Sequence, residues 1–360
     1  MSIEERVLDY TIETLSNYSL QSSHSLVDLL IKDGIVTKKD RKHASRIFIG
    51  DLTEREGIKQ SITKNSNTIK TIEKWEFNKN YRYSMLFEAE VILDQTINDL
   101  LKNGDIQLYS DKGDFEELYP ITMKPSLVRN EGMMIFKFNV KLEALDTFEI
   151  KHKRRYPILA IYNLNEQLLE LRFDSIENVF ACDKFRFIYE ALAWIRQYLL
   201  IRVTPLDLKE VCDYISKNGR ADHIIPSGQD MRLSSGAKAT IEIGNDDSMV
   251  LPFIGELKNI MQQYSAEFDE APALKEVLED FIYEKENLSE FPWMKFHFEE
   301  HKFDVKFTFD YGKENACLIQ HMHSQLKANM GKERMDSVTE YIIKIRKDIS
   351  SLFFEQERSI

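Results

Sequence analysis

Few strings in this chain could do chemistry, and each carries a structural requirement. His297-Phe-Glu-Glu-His301 matches the H-x-x-E-H pattern of one group of zinc peptidases. That chemistry needs a helix, because i,i+4 spacing on one helical face aims both imidazoles at a single metal. The flanks oppose it. Met294, Phe296 and Phe298 alternate on one side, and Phe303, Val305, Phe307 and Phe309 alternate on the other. A period of two predicts two strands joined by a turn over 299–302, with histidines that do not converge.

A second string, Asp304-Val-Lys306, has the acidic-x-Lys form that metal-dependent nucleases place on a strand. There the carboxylate shares an ion and the lysine positions the attacking water. His321-Met-His323 would add two imidazoles on one strand face, with Cys317 near in sequence. These residues define the alternative reading, a metal-dependent nuclease or hydrolase with its site in the C-terminal module. Against it, Lys302, Asp304, Lys306, Thr308 and Asp310 also read simply as the polar face of a half-buried strand. The chain has no glycine-rich phosphate loop, no G-x-S-x-G elbow and no C-x-x-C pair. No metal and no cofactor is therefore expected.

The basic stretch Lys32 to Arg46 is the signal with the clearest binding chemistry. A short helix, a turn containing Gly34 and a second helix would make a helix-turn-helix outline. In that second helix Lys38, Lys42 and Arg46 fall on one face, Lys39 and Arg41 lie alongside, and Ala44, Ile47 and Phe48 face inward. Long cations so placed suit phosphate contacts. A second basic knot, Lys151, Lys153, Arg154 and Arg155, sits at the edge of a hairpin. The competing account of both is a solvated cationic surface.

These residues sit in an acidic chain. Its net charge is −12 over 360 residues, yet residues 32–80 hold twelve Lys/Arg against seven Asp/Glu. That balance excludes a protein coating nucleic acid over its whole surface and points to one basic face. The start of the chain lacks a basic, apolar leader, and no stretch is apolar enough to span a bilayer. Three cysteines, Cys182, Cys212 and Cys317, lie far apart in apolar surroundings, which suits reduced thiols in the cytoplasm.

The elements that would position these groups change character along the chain. Residues 1–103 read as helical throughout. Gly34 ends one helix, Thr53 with Glu56 forms a capping box for another, 64–68 is a break, and 83–102 is a helix on the spacing of Leu86, Ala89, Leu93, Ile97 and Leu100. From 104 the period falls to two. Strands are expected over 133–142, 155–162 and 168–173. A helix then carries Phe185, Ile188, Leu192, Ile195 and Leu199 beside Phe187, Ala191, Trp194, Tyr198 and Ile201, leaving a polar seam at Arg186, Glu190 and Gln197. Residues 219–236 read as a boundary or long loop. Strands at 293–298, 303–311 and 315–321 and a last helix over 332–356 repeat the earlier order.

The expected fold is therefore α+β. A helical domain (1–103) precedes two β-meander-plus-long-helix modules (104–218 and 219–360), an order compatible with internal duplication. The expected function is a non-catalytic cytoplasmic binding or adaptor protein. Its partner would be another protein, or nucleic acid held through the basic helix, with no membrane. The final turn of the last helix, bearing Phe353 and Phe354, would support a homodimer.

Overall fold

The computed structural model describes residues 10–15, 18–39, 41–42, 45–109, 124–175, 179–180, 186–232, 238–242, 252–287, 290–300, 302–322 and 332–357. The chain is mixed α+β and divides into two compact units. The first runs to Thr204 and includes a short stretch ending at Arg334; the second holds the remainder. No helix among the described residues is long and apolar enough to cross a membrane.

The first unit opens with helical residues 10–15 (α1) and with α2 (Leu20–Lys32), which Gly34 follows at φ +74°, a conformation that favours glycine. Short strands β1 (Val36–Thr37) and β2 (Ile47–Phe48) pair in parallel. The described residues between them are bends and turns, so the second helix of the expected helix-turn-helix is not formed there. Val36 and Ile49 are buried in one cluster with Leu26, Leu30, Ile58 and Ile72, and that packing overrides the 3,4 spacing of the cations. α3 (Glu54–Lys64) begins at the expected capping box, with the Glu56 N–H donating to Thr53 Oγ1 and the Thr53 N–H to Glu56 Oε2. α4 (Asn67–Asn78) follows the expected break.

The helix expected over 83–102 is two elements instead. β3 (Tyr83–Ala89) is a strand, and α5 (Asp94–Asn103) begins only after it. Four consecutive β3 residues, Ser84 to Phe87, are buried. A strand covered on both faces reads as a continuous apolar run and loses its period of two. The N-terminal region is thus not an all-helical domain: β3 belongs to the same sheet as the hairpin expected over 155–173.

That sheet runs β3, β8 (Leu168–Phe173), β7 (Lys151–Asn163), β6 (Met133–Leu145), β5 (Ser126–Asn130) and β4 (Gln107–Leu108), with β9 (Val203–Pro205) on the far side of β3. It is mixed, since β4 and β5 are parallel while β5 to β8 and β3 are antiparallel. α6 (Arg186–Tyr198) covers one face. Trp194 stacks edge-on to Phe138 at 5.3 Å, and Phe187 meets Tyr156 at 4.6 Å. Trp194 is 8% exposed, and Arg186 and Gln197 form the expected outward seam with Ala193.

The opposite face carries α4 and is chemically different. Lys137 and Asn139 of β6 share it with Arg155 of β7, as the Lys141–Arg155 register requires. Such alternation ordinarily marks a half-buried strand with its polar side in water; here α4 covers that side, and Ile135 and Lys137 are buried.

In the second unit the sheet runs β11 (Lys238–Glu242), β10 (Ile224–Arg232), β12 (Glu290–Phe298), β13 (Phe303–Tyr311) and β14 (Ala316–Met322). β10 corrects the loop expected over 219–236. Its register shifts between Pro226 and Gly228 and between Asp230 and Arg232, and these irregularities hide the alternation. α7 (Lys209–Asn218) precedes it, and α8 (Pro252–Gln263), α9 (Ser265–Glu270) and α10 (Pro272–Asn287) lie between β11 and β12 in sequence. The last helix, α11 (Glu333–Glu357), buries Val338, Ile342, Ile345 and Ile349 and sets Tyr341 edge-on to Phe298 at 6.0 Å. Phe353 and Phe354 have side chains outside the described set.

Candidate functional site

The cations expected to bind nucleic acid are distributed differently from the sequence reading. Lys38, Lys39, Arg41, Lys42 and Arg46 are exposed, but on turns. Lys38 Nζ donates to Glu54 at 3.0 Å, and Arg41 pairs with Asp51 at 2.8 Å while lying over the Phe48 ring. Lys151, Lys153, Arg154 and Arg155 are not an edge loop. They begin β7 within the thirteen-residue β6–β7 ladder. Lys151 pairs with Glu143, and Lys153 lies over Tyr10. Arg154 and Arg155 are buried, the first paired with Glu13 and the second with Glu76, so their charge faces inward.

Arg155 belongs to a dry network. Glu73 and Glu76, one helical turn apart on α4, meet Lys137 and Arg155 from the sheet. Lys137 Nζ donates to Glu76 at 2.7 Å, Arg155 Nη1 donates to Glu76 at 2.8 Å and to Asn139 at 2.7 Å, and Ser126 Oγ donates to Glu73 at 3.1 Å. Burial pushes the Glu76 carboxyl up, but the Arg155 and Lys137 charges outweigh it and hold the group down at about 2. The two carboxylates and two cations balance, as groups this dry must. Beside them Lys79 pairs with Asp174 and sits over the rings of Tyr18 and Tyr81 at 4.5 and 4.3 Å. Glu170 and Arg172 on β8 make a bidentate pair. Glu73, Glu76, Lys137 and Arg155 are buried and neutralise one another, whereas Asp174 is partly exposed.

The described residues of the alternative reading do not converge. Val305 is the cross-strand partner of His321, which sets both on one face of the sheet, whereas Asp304 and Lys306 point to the other. His321 is buried; Asp304 pairs with His297 at 2.7 Å, and Lys306 lies over Trp293 at 3.9 Å. β12 ends at Phe298 and β13 begins at Phe303, so His297 stands on a strand beside a hairpin turn, as the alternation predicts. His301 and His323 lie outside the described residues, as does Cys182. Among the described residues no three His, Cys, Asp or Glu side chains gather as a metal group would.

A cleft of about 160 Å³ lies between the start of α7 and the bulged end of β13, lined by Leu206, Lys209, Phe309, Asp310 and Cys317. Lys209 and Asp310 pair across it at 2.9 Å. Burial, ahead of the Asp207 and Asp310 charges, pushes the Cys317 thiol up, and burial does the same to Cys212. Both stay protonated near neutrality, and a protonated thiol is a poor nucleophile.

The surface with binding character is one the sequence reading passed over. At 100° per residue, Val277, Phe281, Leu274, Leu278 and Ile282 span an arc of about 140° around α10. Among the described residues, one edge of that arc is covered. Ile282 packs on Met231 of β10 with Leu257 and Met261 of α8 and Phe291 of β12. The other edge faces outward: Leu274 is 54%, Val277 63% and Phe281 40% exposed. The sequence signal was present in the 3,4 spacing of 274, 277 and 281. It could not be separated from an ordinary core stripe before the small size of the covering cluster was known.

No protein-family model matches the chain, and no curated protein matches it.

Proposed function

We propose that this chain is a non-catalytic binding protein whose partner, another protein, docks on the outward edge of α10. The observation that carries this is the exposure of Leu274 and Val277 on a helix whose apolar arc is only half covered. An exposed apolar face of this kind is what helix-docking partners use. Its non-catalytic character is supported by the mutual pairing of the buried ionisable groups and by the protonated state of Cys212 and Cys317. Those reduced thiols also support a cytoplasmic setting.

The same test applies to the whole reading. A photoreactive side chain at position 277 captures a neighbour, and the captured protein, once purified, is titrated against the wild-type and Val277→Asp chains. Weaker binding to the variant is expected; equal binding overturns the reading.

Nucleic-acid association through the 38–46 turn is the second reading, supported by the exposure of Lys39, Lys42 and Arg46 in an otherwise acidic chain. Retention on immobilised DNA or RNA that does not weaken with salt would contradict it. Self-association through the end of α11 is supported by the exposure of Leu352. Descent of the two strand–strand–strand–helix orders from a duplication is supported by the antiparallel, chain-order pairing of the three strands in each.

A further inference from the structure

Resting on the docking surface just described, we infer that the partner presents a cationic amphipathic helix. Three observations converge on it. The α9–α10 segment, Ser265 to Asn287, carries eight acidic residues against two basic ones. One of the two, Lys275, pairs with Asp269 at 2.9 Å, which raises its pKa; the pair cancels and leaves seven acidic residues against one basic. On the helical wheel the outer side of the exposed edge formed by Leu274, Val277 and Phe281 is bordered by Asp280 and then Glu276, both exposed, while the position of Lys285 falls between Leu274 and Leu278 on the inner side.

The surface therefore offers an apolar strip with a negative margin. Its complement is an apolar strip with a positive margin, and α10, sixteen residues long, presents enough length for about four turns of such a helix. A second copy of this chain fits less well, because two acidic margins brought together repel. An unmatched apolar partner would leave the Glu276 and Asp280 charges desolvated without compensation.

The probes are labelled peptides of about 18 residues, long enough to lie along α10. One is a leucine/lysine amphipathic helix and the other a leucine/glutamate helix of the same pattern, each titrated against the full chain by fluorescence anisotropy. The expected result is that the lysine peptide binds, that raised salt weakens it, and that Val277→Asp or Leu274→Asp weakens it at least about tenfold. Both substitutions add negative charge, so simple adsorption of a polycation would tighten instead. Glu276→Lys with Asp280→Lys, at exposed positions, should weaken the lysine peptide without altering the chain's circular dichroism.

Undiminished binding to Val277→Asp reduces the interaction to charge adsorption and overturns the inference. Equal or better binding of the glutamate peptide overturns the cationic partner while leaving the docking surface standing. Failure of both peptides to bind removes the cationic partner; the captured-protein titration then decides the docking surface separately. A dimeric mass that falls to monomer in Val277→Asp makes a second copy the occupant and overturns the inference.

Discussion

The Lys137 ammonium lies 2.7 Å from a Glu76 carboxylate oxygen in the interior of the first unit, and neither side chain is exposed. A pair this dry gives little net stability against an apolar replacement, but removing one member strands the other. Glu76→Gln leaves Arg155 and Lys137 short of a counter-charge and should destabilise the first unit by roughly 3–5 kcal/mol. Denaturant unfolding followed by tryptophan fluorescence reads this, since Trp75 and Trp194 lie in that unit. Lys137→Met combined with Glu73→Gln should cost less than the sum of the two single changes; additivity would show that the charges act independently.

Acid stability follows from the same group. The Glu76 pKa is lowered from 4.5 to about 2 by Arg155 and Lys137 acting against burial. A depressed carboxyl contributes stability that is fully present above the unfolded value and is lost as pH falls through the folded one. The wild-type chain should therefore lose this contribution between about pH 4.5 and 2, and Glu76→Gln should flatten the profile across that window. A pH profile identical in wild type and variant would contradict the assignment.

Trp194→Ala tests the other face of the same sheet. Its ring fills the space between α6 and the Phe136 and Phe138 side chains. Loss of about 3–5 kcal/mol is expected, as for other large-to-small changes in a core. A loss under about 1 kcal/mol would mean that the helix is held elsewhere.

How much of this was legible in the residues depends on what covers each element. β6, β12 and β13 show their alternation openly, β7 shows instead a continuous apolar run from Tyr156 to Tyr162, and the two apolar stripes of α6 require burial on most sides. β3 was hidden because both its faces are covered, and Ser84 to Phe87 then carry no period. β10 was hidden by Pro226, Gly228 and two register shifts. The charge network was hidden for a different reason: Lys137 alternates on its strand as a solvent-facing residue would, and Glu73 and Glu76 sit on a helix at a spacing common on exposed faces. Only the docking of α4 onto that face makes them a buried cluster. Lys38 to Arg46 misled in the opposite direction, since helical spacing of cations cannot reveal that the backbone between β1 and β2 turns instead.

The outward edge of α10 should contribute little to folding. Leu274→Asp and Val277→Asp place charge at positions already in water, and each should change stability by less than about 1 kcal/mol. By contrast Ile282→Ala, in the cluster with Met231, should cost about 2 kcal/mol or more. Thermal or denaturant unfolding of the three variants separates the two edges of the helix, and equal losses at all three positions would make the outward edge part of the core.

The claim at the centre of this account is that Leu274 and Val277 face outward for a partner. Its most direct measurement is calorimetric titration of the protein captured from position 277, once purified, into the wild-type and Val277→Asp chains. Binding at least about tenfold weaker to the variant, with its fold intact, is the expected result. Equal affinity for both chains would contradict it.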